Sequence, residues 1–134
     1  MAILIDANVL YAYTNAKDAH YKESIDLMKK IIGGLYGIPI ITDYLFDEIV
    51  SVVSRKNTRG KAKILGEYLL TSQFRFVRIN TELFKQSWNI FTTHERFSFT
   101  DCTNIAVLQT FKIEYIATFD KEFKTVKGIR VINQ

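Results

Sequence analysis

The chain has 134 residues, 18 lysines and arginines, 14 aspartates and glutamates, and a net charge of +4. That length suits one domain with its own core, residues 1–134, and 48% hydrophobic against 24% charged residues is ordinary globular composition. No apolar run approaches the ~20 residues of a membrane span, so a membrane partner is not expected. The one cysteine, Cys102, excludes an internal disulfide and makes a cytoplasmic setting the default expectation.

Ile3 to Asp6 reads as a first strand, apolar without a break, as a central parallel strand covered on both faces should be. The opening segment has no basic stretch and no small-residue cleavage site, and so does not read as a signal peptide. Residues 7–14 read as a short helix. Residues 19–32 form a longer one, with Ile25, Met28, Ile31 and Ile32 at helical spacing and Gly33-Gly34 as its stop. Pro39 to Thr42 is a strand with proline at its first position. Helices are expected at 43–54 and 60–71. Phe74 to Ile79 alternates like a strand with one wet face. Helices near 81–92 and 101–111 follow, then strands at 115–118 and 129–132.

Strands alternating with helices give an α/β class: a three-layer α/β/α sandwich around a mostly parallel sheet. Right-handed crossovers bring the C-terminal ends of parallel strands to one edge, where open sheets bind ligands. Four acidic residues fall where that edge would collect them. Asp6 ends the first strand, and a helix N-cap is its bland alternative. Glu48 sits at the border of the stripe formed by Leu45, Phe46, Ile49, Val50, Val52 and Val53, whereas Asp47 falls on the polar face. Asp101 lies between the phases of Ile105 and Leu108. A charge on such an apolar line needs a partner or a cation, although capping and the helix dipole also favour it there. Asp120 follows the strand at 115–118, with the Thr118 hydroxyl nearby. Asn8 offers a neutral amide close to Asp6.

Hard oxygen donors of this kind suit Mg²⁺ or Mn²⁺ and disfavour zinc. His20, His94 and Cys102 are too scattered for a zinc pattern. Arg55, Lys56, Arg59, Lys61 and Lys63 fall within nine residues. On charge alone such a run is more often a solvated face than a nucleic-acid contact; Arg55, Lys56 and Arg59 are the candidates for phosphate. Cys102 reads as a small buried residue and His20 as a surface one. Tyr11 and Tyr13 are expected to pack on the second helix, and Trp88 and the phenylalanines to serve core and interface.

The stretches Ile3-Leu4-Ile5-Asp6-Ala7-Asn8-Val9-Leu10, Thr42-Asp43-Tyr44-Leu45-Phe46-Asp47-Glu48, Phe97-Ser98-Phe99-Thr100-Asp101-Cys102 and Ala117-Thr118-Phe119-Asp120-Lys121-Glu122-Phe123 together resemble the PIN-domain ribonucleases, and within them the toxins of VapC type. The resemblance runs over essentially the whole chain. It implies a PIN fold and Mg²⁺- or Mn²⁺-dependent cleavage of single-stranded or loop RNA. It also implies Asp6, Glu48, Asp101 and Asp120 as catalytic, metal-holding carboxylates, supported by Asn8 and Thr118. A homodimer and a cognate antitoxin are implied as partners. Two other readings stay open: another Mg²⁺-dependent phosphoryl enzyme, and an RNA-binding module without turnover. A phosphatase of the haloacid-dehalogenase kind would want a second aspartate where this chain has Asn8.

Overall fold

The computed structural model describes all 134 residues. Five strands form one sheet: β1 (Ala2–Ile5), β2 (Ile38–Thr42), β3 (Arg75–Val77), β4 (Tyr115–Ala117) and β5 (Arg130–Ile132), in the order β3-β2-β1-β4-β5. Every pairing is parallel, with Leu4 opposite Ile40 on one side and opposite Ile116 on the other. The sheet is therefore wholly parallel, and β1 is central, with Ile3, Leu4 and Ile5 fully buried.

Six helices cover it: α1 (Ala7–Thr14), α2 (Tyr21–Ile32), α3 (Asp43–Lys56), α4 (Arg59–Leu69), α5 (Thr81–Thr93) and α6 (Phe99–Thr110). Right-handed crossovers put α1 to α4 on one face, where the chain steps from β1 to β2 to β3. They put α5 and α6 on the other, where it returns from β3 to β4. The step reverses direction between β1 and β4, so the sheet's switch point lies between these two strands. No helix is long and apolar enough to cross a membrane.

The structure moves several sequence expectations. Helix α6 begins at Phe99, not Asp101, because Ser98 caps it: Ser98 Oγ accepts from Asp101 N while Asp101 accepts from Ser98 N, a reciprocal capping box. The cap of α3 is Thr42, whose hydroxyl oxygen accepts from Leu45 N. Asp43 is the first helical residue and accepts from Ile79 N. That contact draws the chain out of the sheet, so β3 pairs only over Arg75–Val77 and the expected strand at 74–79 is halved. Phe74 is buried before the strand begins, while Arg75 and Phe76 are exposed on this edge.

Pro39 is the second residue of β2. Ile38 donates its N–H to the carbonyl of Met1, just before β1, so position 39 faces β3, which pairs only from Ile40 onward; the missing donor costs no ladder bond. On α2 the buried stripe is Ser24, Leu27, Met28 and Ile31, with Ile25 and Ile32 at its margins. A 3₁₀ turn over Lys121–Thr125, unforeseen in the sequence, separates β4 from β5. Trp88 is 55% exposed and does not belong to the core. Phe84, Trp88 and Phe91 of α5 gather instead around Phe99 of α6. Tyr13 has its ring beside Tyr68 of α4. Cys102 is buried, as expected.

Candidate active site

Asp6 leaves the end of β1 at the switch point and is 5% exposed. As the N-cap of α1 it accepts from Ala7 N at 2.8 Å through Oδ1. Its other oxygen, Oδ2, accepts from the Thr118 hydroxyl at 2.8 Å. Thr118 is carried past the end of β4, beside β1, because its backbone continues the β4 line and bonds Ile132 O. The same hydroxyl oxygen accepts from Asn8 Nδ2 at 3.2 Å and from Asp120 N at 3.0 Å. Asn8 Oδ1 in turn accepts from Phe119 N at 3.1 Å. One threonine thus ties the β1 end, the first turn of α1 and the β4 loop into a single network. Both polar atoms of Asn8 are used inside it, so Asn8 is a strut between two loops.

The other carboxylates arrive from two helices and the β4 loop. Glu48 lies in the second turn of α3, solvent-exposed on one side. Asp101 lies in the first turn of α6, held by the Ser98 backbone at 3.2 Å. Asp120 caps the 3₁₀ turn by accepting from Glu122 N at 2.9 Å.

Their charges act on one another. The Asp6 carboxyl is pushed up from 3.8 to about 7. Burial is the main cause, with the negative charges of Asp101 and Glu48 adding to it, while the bonds from Thr118 and Ala7 pull the other way. Glu48 is raised by burial, then by Asp101 and Asp47. Asp101 is raised by burial and by the charge of Asp120, against the bonds from Ser98. Asp47 itself accepts from the Ser51 hydroxyl at 3.4 Å and borders a hollow with Asp43 and Tyr44. The structure therefore brings Asp6, Glu48, Asp101 and Asp120 into one negatively charged cluster, with Asn8 and Thr118 inside its hydrogen-bond network.

Hard oxygen donors with a surplus of negative charge are what a divalent cation of the Mg²⁺ or Mn²⁺ kind requires. A bound cation would also relieve the repulsion that raises these acids. Yet no three side chains of the acid, histidine and cysteine types already stand at ligating spacing. The capping bonds explain this: each of Asp6, Asp101 and Asp120 has an oxygen turned onto a local N–H. The donor chemistry of these four carboxylates fits a hard divalent cation.

The basic run divides in two. Arg55, Arg59 and Lys63 line a groove of about 530 Å³ between α3 and α4, floored by Phe46, Val50 and Leu70. Lys56 points elsewhere, its ammonium 5.8 Å from the centre of the Tyr11 ring. His20 stacks on Phe119 at 4.3 Å. Ser98 is the site residue missing from the sequence expectations, and Ser98-x-x-Asp101 is a legible capping signal for it.

Comparison with known proteins agrees with this geometry. A VapC ribonuclease of Archaeoglobus fulgidus is 22% identical over 126 residues, 92% of this chain and 80% of that one. The crystal structure of Mycobacterium tuberculosis VapC20, described as a Sarcin-Ricin loop cleaving toxin, superposes with a TM-score of 0.83 at 21% identity, covering 91% of this chain and 92% of that one. VapBC2 of Rickettsia felis, bound to a DNA fragment from its promoter, gives a TM-score of 0.72 at 13% identity and covers 99% and 98% of the two chains. Residues 3–129 match the PIN domain family model, and the chain belongs to the PIN domain family.

Proposed function

We propose that this PIN domain is a Mg²⁺- or Mn²⁺-dependent endoribonuclease and the toxin of a toxin–antitoxin pair. The observation that carries the reading is the mutual charge of Asp6, Glu48, Asp101 and Asp120 at the β1/β4 switch point of a PIN fold. All four carboxylates would hold the cation. The cation would lower the pKa of an attacking water and stabilise the leaving oxygen as the phosphodiester P–O bond breaks.

The chain's own residues set the stage for that chemistry. Thr118 keeps the most buried carboxylate, Asp6, oriented through Oδ2. Asn8 fixes the loop that carries Asp120, by way of Phe119 N. The Ser98 cap holds Asp101 at the mouth of α6. Asn8 being bonded through both amide atoms also argues against the phosphatase reading, which needs a free carboxylate at that place.

RNA is the substrate class. Arg55 and Arg59 would take its phosphates along the α3–α4 groove, and Lys56 a strand passing Tyr11. The partner is an antitoxin: a Klebsiella pneumoniae neighbour in fold is a toxin–antitoxin complex. A homodimer belongs to the same reading and is supported by the exposed aromatic side chains of Phe84, Trp88 and Phe91. A cytoplasmic site of action follows from the reading of the substrate as cellular RNA.

The test is cleavage of labelled total RNA with Mg²⁺, Mn²⁺ or EDTA, beside Asp6→Asn prepared identically. Metal-dependent cleavage lost in the variant supports the nuclease. Cleavage that survives in the variant overturns the assignment of the site.

A further inference from the structure

Asn104 has no exposed surface. Both its amide nitrogen and its amide oxygen are buried without a protein partner. Asn57 is the other side chain with a buried unpaired atom, and there only Nδ2 is affected. Burying an amide unpaired is costly, and unpaired groups of this kind in a native fold call for a reason.

The position supplies one. Asn104 is three residues after Asp101 on α6. At 3.6 residues per turn the two lie about 60° apart, as neighbours on one face. Phe99 and Thr110 touch α5, and Gln109 bonds Gln86 of α5. These three centre about 160° away from Asn104 on the same wheel, so Asn104 faces the sheet side that Asp101 also overlooks. Helical side chains lean toward the N-terminal turn, which here carries Thr100 and Asp101. Thr103 already bonds Thr100 O at 2.6 Å, while Asp101 spends Oδ2 on Ser98 N and has Oδ1 unengaged.

We propose that Asn104 is a positioning residue of the acidic site, whose buried carboxamide donates to the free Asp101 oxygen when that carboxylate turns in to hold a divalent cation. The inference rests on reading the four carboxylates as a cation site. It gives the buried amide a partner within the site. Residues that orient cation-holding carboxylates typically change affinity ten- to a hundredfold when removed.

The test compares wild type, Asn104→Leu and Asn104→Ser by Mn²⁺ calorimetry and by metal-free melting. The expected result is a melting temperature for Asn104→Leu equal to or above wild type, with Mn²⁺ affinity weakened about ten- to a hundredfold. Asn104→Ser, which keeps a donor, should fall between. If Asn104→Leu does not fold, wild type is read alone: on Mg²⁺ titration the Asn104 side-chain NH₂ proton signals should move, identified by their loss in Asn104→Ser. Unchanged Mn²⁺ affinity in a stabilised Asn104→Leu, or NH₂ signals that ignore Mg²⁺, overturns the role of Asn104 and leaves the site reading intact. Failure of wild type to bind Mn²⁺ at all overturns both.

Discussion

The Thr118 hydroxyl reaches across 112 positions of sequence to donate to Asp6 Oδ2 at 2.8 Å, joining the ends of the two strands that flank the switch point. Replacing Thr118 with valine keeps the shape and removes the donor. It also strips an acceptor from Asn8 Nδ2 and from Asp120 N. A cost of roughly 3 kcal/mol is expected for that set of buried groups. Because the Thr118 donor favours ionised Asp6, the Asp6 carboxyl should rise beyond about 7. Urea denaturation at pH 5 and pH 8 checks this: the loss should be larger at pH 8, where the wild-type carboxylate is charged.

Asp6 itself sets a pH dependence of stability. Its folded value, about 7, lies above its ordinary 3.8. The folded state therefore holds this proton more tightly than the unfolded chain does. Metal-free stability is highest below about pH 4 for this group and falls as pH rises through 7, by roughly 4 kcal/mol at most. Glu48 and Asp101, raised in the same direction, steepen the fall. Asp6→Asn should flatten the curve and raise the metal-free melting temperature at pH 8 while abolishing RNA cleavage. Added Mg²⁺ should stabilise wild type at pH 8 far more than the variant. A variant that melts well below wild type at pH 8 would make Asp6 a structural residue.

Much of this arrangement is legible in the residues, and the limits have physical causes. The apolar run before Asp6 gives the central strand because burial on both faces leaves no alternation to hide it. Glu48 at the border of the α3 stripe is readable from helical period alone. Phe74–Ile79 misleads because alternation describes a face, not a pairing length: Asp43, 36 positions away, takes the Ile79 N–H that a longer strand would need. The start of α6 is misplaced because Asp101 satisfies both the capping and the site reading, while Ser98, which completes the box, precedes the apolar period of Ile105 and Leu108. Asn104 gives no signal, since an asparagine inside an apolar helix differs from its neighbours only once its want of partners is seen.

The basic groove makes a separable prediction. Arg55→Ala combined with Arg59→Ala should weaken RNA binding without touching Mn²⁺ affinity, because both side chains line the α3–α4 groove and neither acts on the acidic cluster. Removing one cation that neutralises a phosphate lowers the slope of log affinity against log salt by about 0.7 on single strands. The slope of the double variant should be shallower by roughly 1.4. Binding measured from low to moderate salt with Asp6→Asn as background, so that RNA stays intact, gives the slope directly. An unchanged slope would leave the run as a solvated face.

Asn8→Asp separates a strut from a ligand. The new side chain keeps an acceptor for Phe119 N but cannot donate to Thr118. It also adds a negative charge to a cluster whose members already raise one another. If Asn8 is a strut, metal-free stability at pH 8 should fall by about 2 kcal/mol, from the Thr118 oxygen losing one of its two donors and from added repulsion. The fall should shrink toward pH 5 as the cluster takes up protons. Cleavage should drop with it, because the Thr118 hydroxyl that orients Asp6 loses its bond from Asn8. If position 8 instead holds the cation directly, the added charge should tighten Mn²⁺ binding and preserve cleavage. Calorimetry with Mn²⁺ beside melting curves at pH 5 and pH 8 distinguishes the two, and the bonding of both Asn8 amide atoms favours the strut.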